Sequence, residues 1–225
     1  MPSLRDQSLE ALGLAAGQHA WERCLESCFR SLYQLPRDVQ TELAVTTLST
    51  YLMVFENHWP QTSWARRLLD DPSRWLTAHD RALPDHPSAV GPADASFFEG
   101  LDGLLLAHSL GTQDFFGISA SCTFAIARGI QAHANAVWES EDPEGVRVWS
   151  VLSQSQDPAV VAQPAGHFPQ DHPLVNKQME QRWLSVTDWL RARGIQNYSD
   201  PAVDDLERDL LRWRDREMDL PPPPG

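Results

Sequence analysis

Residues 96–141 read SFFEGLDGLLLAHSLGTQDFFGISASCTFAIARGIQAHANAVWESE, a continuous stretch that is apolar and rich in small side chains. Through its second half, small residues recur at steps of three and four, which is the spacing of one helix face. That face comprises Ile118, Cys122, Ala125, Gly129, Ala132 and Ala136. The opposite edge is also apolar, with Phe116, Ile126, Ile130 and Val137. Apolar residues on both sides predict that a helix over residues 113–139 is buried at the centre of the fold.

A second helix is expected just before this central helix. Ser96 lies three residues before Glu99, which is the arrangement of a capping box at a helix N-terminus. We therefore expect the helix to begin at Ser96 and to end near Gly111, because glycine favours the left-handed stop of a helix. Its apolar face comprises Leu101, Leu104, Leu105 and Leu110.

The flanking sequence predicts further helices. Apolar residues at helical spacing occur over residues 19–35, 36–59, 173–193 and 200–218. Asp-Pro pairs predict helix starts, because the carboxylate can cap free backbone amides while proline fits the first helical position. These pairs are Asp71-Pro72, Asp142-Pro143, Asp157-Pro158 and Asp200-Pro201. Residues 146–152 fit a helix or a strand, and we favour a helix because no second strand is available to pair with them.

Together these patterns predict an all-α fold. We expect a single domain over residues 1–219, with roughly seven to nine helices around the central small-residue-rich helix. Residues 155–172 contain three prolines and a glycine and are expected to form a loop, either ordered or mobile. Residues 220–225 contain four consecutive prolines, so we expect a disordered Pro-rich tail.

The charge of the chain limits its partners. The formal net charge is −13 at pH 7, from 31 acidic and 18 basic residues. This charge argues against nucleic acid and against anionic membrane surfaces, because both are bound by clustered Lys and Arg. It suits a basic protein partner, although acidity that serves solubility alone is an equally good explanation.

The cysteines and the hydropathy pattern indicate a cytoplasmic protein. Cys24, Cys28 and Cys122 are odd in number and lack further ligands at zinc-site spacing, so we expect buried free thiols in a reducing compartment. Residues 1–10 show no secretion signal. No apolar run reaches the roughly 20 residues of a membrane-spanning helix.

Known catalytic and metal-binding patterns are missing from the sequence. Residues 117–121 read GISAS, which lacks the second glycine of a nucleophile elbow, and no Gly-rich phosphate loop occurs. The Glu-x-x-His element of metal sites in helical bundles is also missing. His133 has no second ligand at helical spacing, so we expect a hydrogen-bonded or boundary histidine and not a metal ligand. We expect no catalytic residue, no metal site and no cofactor.

One part of the sequence resembles a known family. The run Tyr51-Leu52-Met53-Val54-Phe55-Glu56 is followed by Pro60, by Arg66-Arg67-Leu68 and by Arg74-Trp75-Leu76. This order resembles the opening of helical immunity proteins encoded beside bacterial polymorphic toxins, and Ala120 to Ala136 is similar to their later alanine-rich helices. The resemblance implies a protein that works by binding and covers the active site of a toxin. It implies no individual functional residue.

Charge and resemblance together suggest a function. An acidic surface complements a basic nuclease and accelerates the encounter. We therefore expect a non-enzymatic helical binding protein that neutralises a partner toxin. The expected contact residues, chosen by charge alone, are Glu139, Glu141, Asp142, Glu144, Asp204, Asp205 and Asp209. Two alternatives stay open: a helical adaptor in a bacterial defence or signalling system, and a metal-dependent helical enzyme.

Overall fold

The computed structural model describes residues 4–33, 35–79, 83–84, 91–153 and 172–193, and every regular element within them is a helix. In chain order these are α1 (Leu4–Gly17), α2 (Trp21–Tyr33), α3 (Arg37–His58), α4 (Trp64–Asp70), α5 (Pro72–His79), α6 (Pro92–Ser109), α7 (Phe115–Glu141), α8 (Pro143–Ser153) and α9 (Pro173–Ala192). The expected all-α fold class is confirmed for this part of the chain. Within the same ranges, no helix has both the length and the hydropathy needed to cross a lipid bilayer.

α6 and α7 form an antiparallel pair whose backbones approach closely. At the start of α6, the Ala93 amide donates a 2.9 Å hydrogen bond to the carboxylate of Glu139, near the end of α7. Further along α6, a Cβ added at Gly103 would lie 3.3 Å from both Ser121 O and Ala125 N. A side chain at Gly103 would therefore press on the backbone of α7, and glycine allows the two helices their close contact.

α3 packs against another side of α7 and runs parallel to it. Near the start of both helices, Ser119 Oγ donates a 2.9 Å hydrogen bond to Oε1 of the buried Gln40. Further along, a Cβ added at Gly129 would lie 3.0 Å from Leu48 N and 3.1 Å from the carbonyl carbon of Thr47. α7 thus contacts α3 and α6 at backbone distance, which confirms the central position expected from its small side chains.

A cluster of aromatic rings fills the space between α3, α4, α5 and α6. Its buried members are Tyr51, Phe55, Trp64, Trp75, Phe97 and Phe98. The Phe55 ring centroid lies 5.1 Å from that of Phe97 and 5.6 Å from that of Phe98, in tilted and edge-on arrangements that are favourable for aromatic pairs. Two of the nine tryptophans, Trp64 and Trp75, therefore fill gaps between helices.

α2 and α9 cover further parts of α7. The three cysteines, Cys24 and Cys28 of α2 and Cys122 of α7, are free and buried, as expected, while the reducing compartment stays a prediction. Burial raises the pKa of the Cys24 and Cys122 thiols to about 12, so both are protonated at neutral pH. The buried stripe of α9 comprises Val175, Met179, Trp183, Val186, Thr187 and Leu190.

The start of α6 differs from the sequence expectation. The helix begins at Pro92 with Gly91 as its N-cap residue, and Ser96 is buried inside the helix. The capping box predicted at Ser96 is therefore wrong. Ser96 Oγ instead accepts a 3.4 Å hydrogen bond from the side-chain amide of Asn135 in α7. Local sequence could not show this start, because the first turn of α6 is capped by Glu139 from the neighbouring helix.

Two of the predicted Asp-Pro helix starts are confirmed, at Pro72 and Pro143. In each pair the aspartate accepts a hydrogen bond from the backbone amide three residues after it, at 2.9 and 3.0 Å. Residues 146–152 are helical, as favoured. The described helices belong to one compact unit that spans Met1–Arg193. The remaining predictions, for residues 155–171, 200–218 and 220–225 and for a domain boundary at residue 219, lie outside the described residues.

We expect Gly129→Ala to lower the free energy of unfolding by about 1–2 kcal/mol. The new Cβ would press on the α3 backbone, and this overpacking outweighs the higher helix propensity of alanine. Gly13 in α1 is the matched control, because a Cβ there meets nothing within 4 Å. Gly13→Ala should raise stability by about 0.5–1 kcal/mol. Urea denaturation checks both values, and equal shifts for the two variants would contradict the close α3–α7 contact.

Candidate protein-binding surface

An open groove lies on the surface along the contact between α6 and α7. It has a volume of about 590 Å³ and is lined by Asp102, Gly103, Leu105, Leu106, Ala120, Ser121 and Phe124. The lining is mainly apolar, with a single carboxylate in it. Its volume falls within the range of about 300–1,000 Å³ that is usual for binding clefts.

Phe124 is held in a fixed position at this groove. A Cβ added at Gly103 would lie 2.9 Å from Phe124 Cδ1, so the ring rests directly against the glycine. The Arg128 guanidinium lies 5.0 Å from the ring centroid, and Arg128 Nε pairs with the Glu99 carboxylate of α6 at 2.7 Å. Phe124 nevertheless remains 41% exposed. An exposed ring that is already fixed loses little conformational entropy when a partner covers it.

Two more phenylalanines are exposed in the first turn of α7. Phe115 is 55% exposed and Phe116 is 49% exposed. Phe116 and Phe124 are eight residues apart and therefore share one helix face. The Phe116 ring also contacts Phe29 of α2, with centroids 5.2 Å apart. Phe29, Phe116 and Phe124 are called the aromatic face below. Phe115 lies nine residues from Phe124 and therefore projects from the opposite side of α7.

The exposure of Phe116 corrects one sequence expectation. Its place in the apolar pattern predicted a packed edge of the central helix, whereas half of its surface is open. The physical reason is its position in the first turn of α7, directly after the exposed residues 111–114 that connect α6 to α7. Among the described residues, Phe29 of α2 is the only aromatic residue whose ring contacts Phe116.

Carboxylates border the groove and the aromatic face. Asp102 is exposed and lines the groove, and Glu99 is half exposed one turn earlier in α6. Asp114 is exposed next to Phe115 and caps α7 by accepting a 2.8 Å hydrogen bond from the Gly117 amide. An apolar centre with a polar border is the usual arrangement of a protein interface.

The acids expected to contact a partner lie in different environments. Glu141 and Glu144 are exposed where α7 meets α8, and Glu144 pairs with Arg147. Asp142 is partly buried and caps α8. Asp204, Asp205 and Asp209 lie outside the described residues. A contact role for these acids stays a prediction.

Glu139 is not the exposed acid that the sequence indicated. Its carboxylate is partly buried and accepts the hydrogen bond from Ala93 N, one of the free amides at the N-terminus of α6. A Cβ added at Gly91 would lie 2.5 Å from Glu139 Oε1, so glycine leaves room for the carboxylate. Burial raises the pKa of Glu139; the Ala93 amide opposes this shift and the nearby Asp94 carboxylate adds to it.

A second carboxylate, Asp94, lies at the same end of α6 and is 1% exposed. Its Oδ1 accepts a 2.6 Å hydrogen bond from the Tyr51 hydroxyl, and its Oδ2 accepts one of 3.4 Å from the indole of Trp59. His58 Nδ1 lies 3.5 Å from Oδ1. Burial and the contact with Asp94 raise the pKa of Tyr51, so the phenol stays protonated and donates. These contacts tie the end of α3 to the start of α6.

Histidine and acidic side chains are the usual ligands of metal ions in helical bundles. In the ranges that the structure covers, no three His, Cys, Asp or Glu side chains come together in a group that could hold a metal ion. His133 is half-buried, and Arg182 Nη2 lies 2.8 Å from its Nε2. His133 is thus hydrogen-bonded, as expected from its spacing.

The groove and the aromatic face were not predicted from the sequence. One signal was present in Gly100 and Gly103, which lie three residues apart and allow α6 to approach α7 closely. A second signal was the pair Phe116 and Phe124 on one helix face. Their exposure depends on which neighbouring helices cover α7, and the spacing of residues along one helix does not contain that information.

The chain matches no protein-family model, and comparisons with curated proteins and with solved structures find no match. The resemblance to helical immunity proteins therefore stays a prediction. The groove and the aromatic face have to be interpreted from their own geometry.

We expect Glu139→Gln to change the pH dependence of stability. Because the folded pKa of Glu139 lies above the ordinary value of 4.5, the folded protein binds more protons than the unfolded chain just above pH 4.5. The free energy of unfolding therefore falls as pH rises through that window. Glutamine cannot ionise but can still accept from Ala93, so the variant should gain stability relative to wild type between pH 4.5 and 7.

Glu139→Ala separates the hydrogen bond from the charge. This variant removes the cap of α6 and should cost about 1–2 kcal/mol, the usual effect of a lost N-cap. Thermal unfolding at several pH values measures both variants. A constant difference between Glu139→Gln and wild type from pH 4.5 to 7 would contradict the raised pKa.

Proposed function

We propose that the chain is a non-enzymatic cytoplasmic binding protein that captures a basic protein partner. We further propose that the partner is a toxin, which the chain neutralises as an immunity protein does. The observation that carries the proposal is the apolar groove between α6 and α7, with the aromatic face beside it and carboxylates at its border.

Exposed aromatic rings support a protein partner. Elsewhere in the described part of the chain, large rings such as Trp64, Trp75, Trp138 and Trp183 are buried in the core. Phe115, Phe116 and Phe124 each keep more than two fifths of their surface exposed on one helix. Exposed aromatic side chains are candidates for interaction sites, because such side chains are enriched at the centres of protein interfaces.

The charges around the groove support a basic partner. Asp102 lines the groove and Asp114 lies next to Phe115, whereas the Glu99 charge is paired with Arg128. The whole chain carries a net charge of −13. A second copy of the chain would bring the same acidic border against itself, and like charges facing each other weaken association. A partner with an apolar centre and basic surroundings meets both requirements.

The exposed acids at the α7–α8 junction form a second part of the proposal. Glu141 and Glu144 would attract a basic partner during the encounter, because long-range attraction raises association rates more than final affinity. Asp142 and the acids at 204, 205 and 209 are proposed to add to the same field. Glu139 is left out of the contact surface, since its carboxylate caps α6.

The proposal is tested by capture with the tagged chain from its host, followed by elution across a salt gradient and mass spectrometry. We expect a basic protein that elutes at moderate salt. That protein should arrest growth when expressed alone in a heterologous host, and co-expression of the chain should restore growth. Capture of a protease or a nucleotide-sensing protein that is not toxic would contradict the toxin proposal and favour an adaptor.

Variants of the aromatic face test the site itself. We expect the double variant Phe116→Ala with Phe124→Ala to weaken binding of the captured partner about 30-fold or more, because two anchors are lost. Met53→Ala is the matched control, since Met53 is 72% exposed on α3 and does not line the groove. Titration calorimetry with the purified partner measures both. Equal affinities for the two variants would place the interface elsewhere.

The acids make a separable contribution. Glu141→Lys with Glu144→Lys should slow association and flatten its salt dependence, with a smaller effect on dissociation. Stopped-flow association at two salt concentrations measures this change. An unchanged association rate would remove the α7–α8 junction from the contact surface.

A further inference from the structure

A small cleft lies where α3, α7 and α9 meet. Its volume is about 130 Å³, and its lining comprises Leu43, Thr46, Thr47, Thr50, Ile130, Arg182, Ser185, Val186 and Trp189. An engineered apolar cavity of about 150 Å³ is large enough to bind benzene. The cleft can therefore hold the body of a ligand with roughly six apolar atoms.

Arg182 is the only charged side chain among the residues that line the cleft. Thr47, Thr50 and Ser185 donate their hydroxyl hydrogens to backbone carbonyls, at 2.7 to 2.9 Å, so these hydrogens are not available to a ligand. Arg182 lines the same cleft and is partly buried. Its guanidinium supplies charged donors in a fork geometry that matches a carboxylate.

Arg182 also has no acidic partner among the described residues. No ion pair between described residues involves Arg182, although the chain has a large excess of acids. The other arginines of α7 and of α9 with its C-cap each contact a carboxylate: Arg128 with Glu99, Arg191 with Asp188 and Arg193 with Glu42. A partly buried guanidinium without a carboxylate is a ready site for an anion.

His133 holds this guanidinium in position. Burial and the adjacent Arg182 charge lower the pKa of His133, so the neutral imidazole can accept a hydrogen bond from Arg182 Nη2 at 2.8 Å. His133 lies on α7 and Arg182 on α9, so the contact fixes one edge of the guanidinium between two helices. No other hydrogen bond of Arg182 to a described residue is observed, and Arg182 lines the cleft.

We propose that this cleft binds a small monocarboxylate with an apolar body. The carboxylate accepts hydrogen bonds from Arg182, and the body lies against Ile130, Val186 and Trp189. This site is independent of the proposed partner surface, since it shares no lining residue with the α6–α7 groove.

Benzoate and benzyl alcohol test the proposal, because they share an aromatic body and differ in charge. The readout is the indole N–H signal of Trp189 in ¹⁵N-labelled full-length protein, assigned by its loss in Trp189→Phe. We expect benzoate to shift this signal saturably with a Kd of about 1–10 mM, as suits a ligand of this size. The Kd of benzyl alcohol should be higher than that of benzoate by about 10-fold or more. This comparison on the wild-type protein needs no variant that could fail to fold.

Two arginine variants locate the anion. Arg182→Gln should weaken benzoate binding about 10-fold or more and leave benzyl alcohol unchanged. Arg191→Gln, on the same helix and paired with Asp188, is the matched control and should bind benzoate as wild type does. No saturable shift with benzoate, equal binding of the two ligands, or equal binding of benzoate by the two variants would each overturn the proposal.

Discussion

The close approach of α3 and α6 to α7 is the constraint on which the rest of the structure depends. Gly129 brings α7 against the backbone of α3, and Gly100 and Gly103 bring α6 against α7. Dispersion contacts between the backbones are strong at this distance, and an added methyl group would press on the facing backbone. The same closeness shapes the surface, because the ring of Phe124 rests on Gly103 at the edge of the groove. Core packing and the candidate interface therefore share one cause.

The polar contacts follow from the same arrangement. Once α6 and α7 are antiparallel and close, the end of α7 lies beside the free amides at the start of α6, and Glu139 can cap them. Asp94 then has to be satisfied from α3, through Tyr51 and Trp59. A buried carboxylate without such donors would cost several kcal/mol. The hydrogen bonds of Glu139 and Asp94 thus fix how α3, α6 and α7 align along their axes.

The spacing of apolar residues predicted correctly which face of a helix is buried when that depends on the helix alone. It failed for features that depend on contacts with a neighbouring helix. The central position of α7 follows from residues such as Cys122 and Ala125, which are small at steps of three and four. The start of α6 was predicted at Ser96, because a local capping box was sought, whereas the cap comes from Glu139, more than 40 residues later. The exposure of Phe116 and the burial of Glu139 also depend on neighbours that are distant in sequence.

Two open sites lie on different sides of α7: the groove beside α6 and the cleft between α3, α7 and α9. Both use apolar side chains of α7, which has such residues on several sides. Phe124 faces the α6 groove, and Ile130 faces the cleft beside α3 and α9. Six residues separate them, which places them well apart around a helix of 3.6 residues per turn. The acidic border of the groove repels anions, so an anionic ligand needs a local positive charge to bind this chain at all. Arg182 provides that charge in the cleft, while the groove favours a partner of opposite sign.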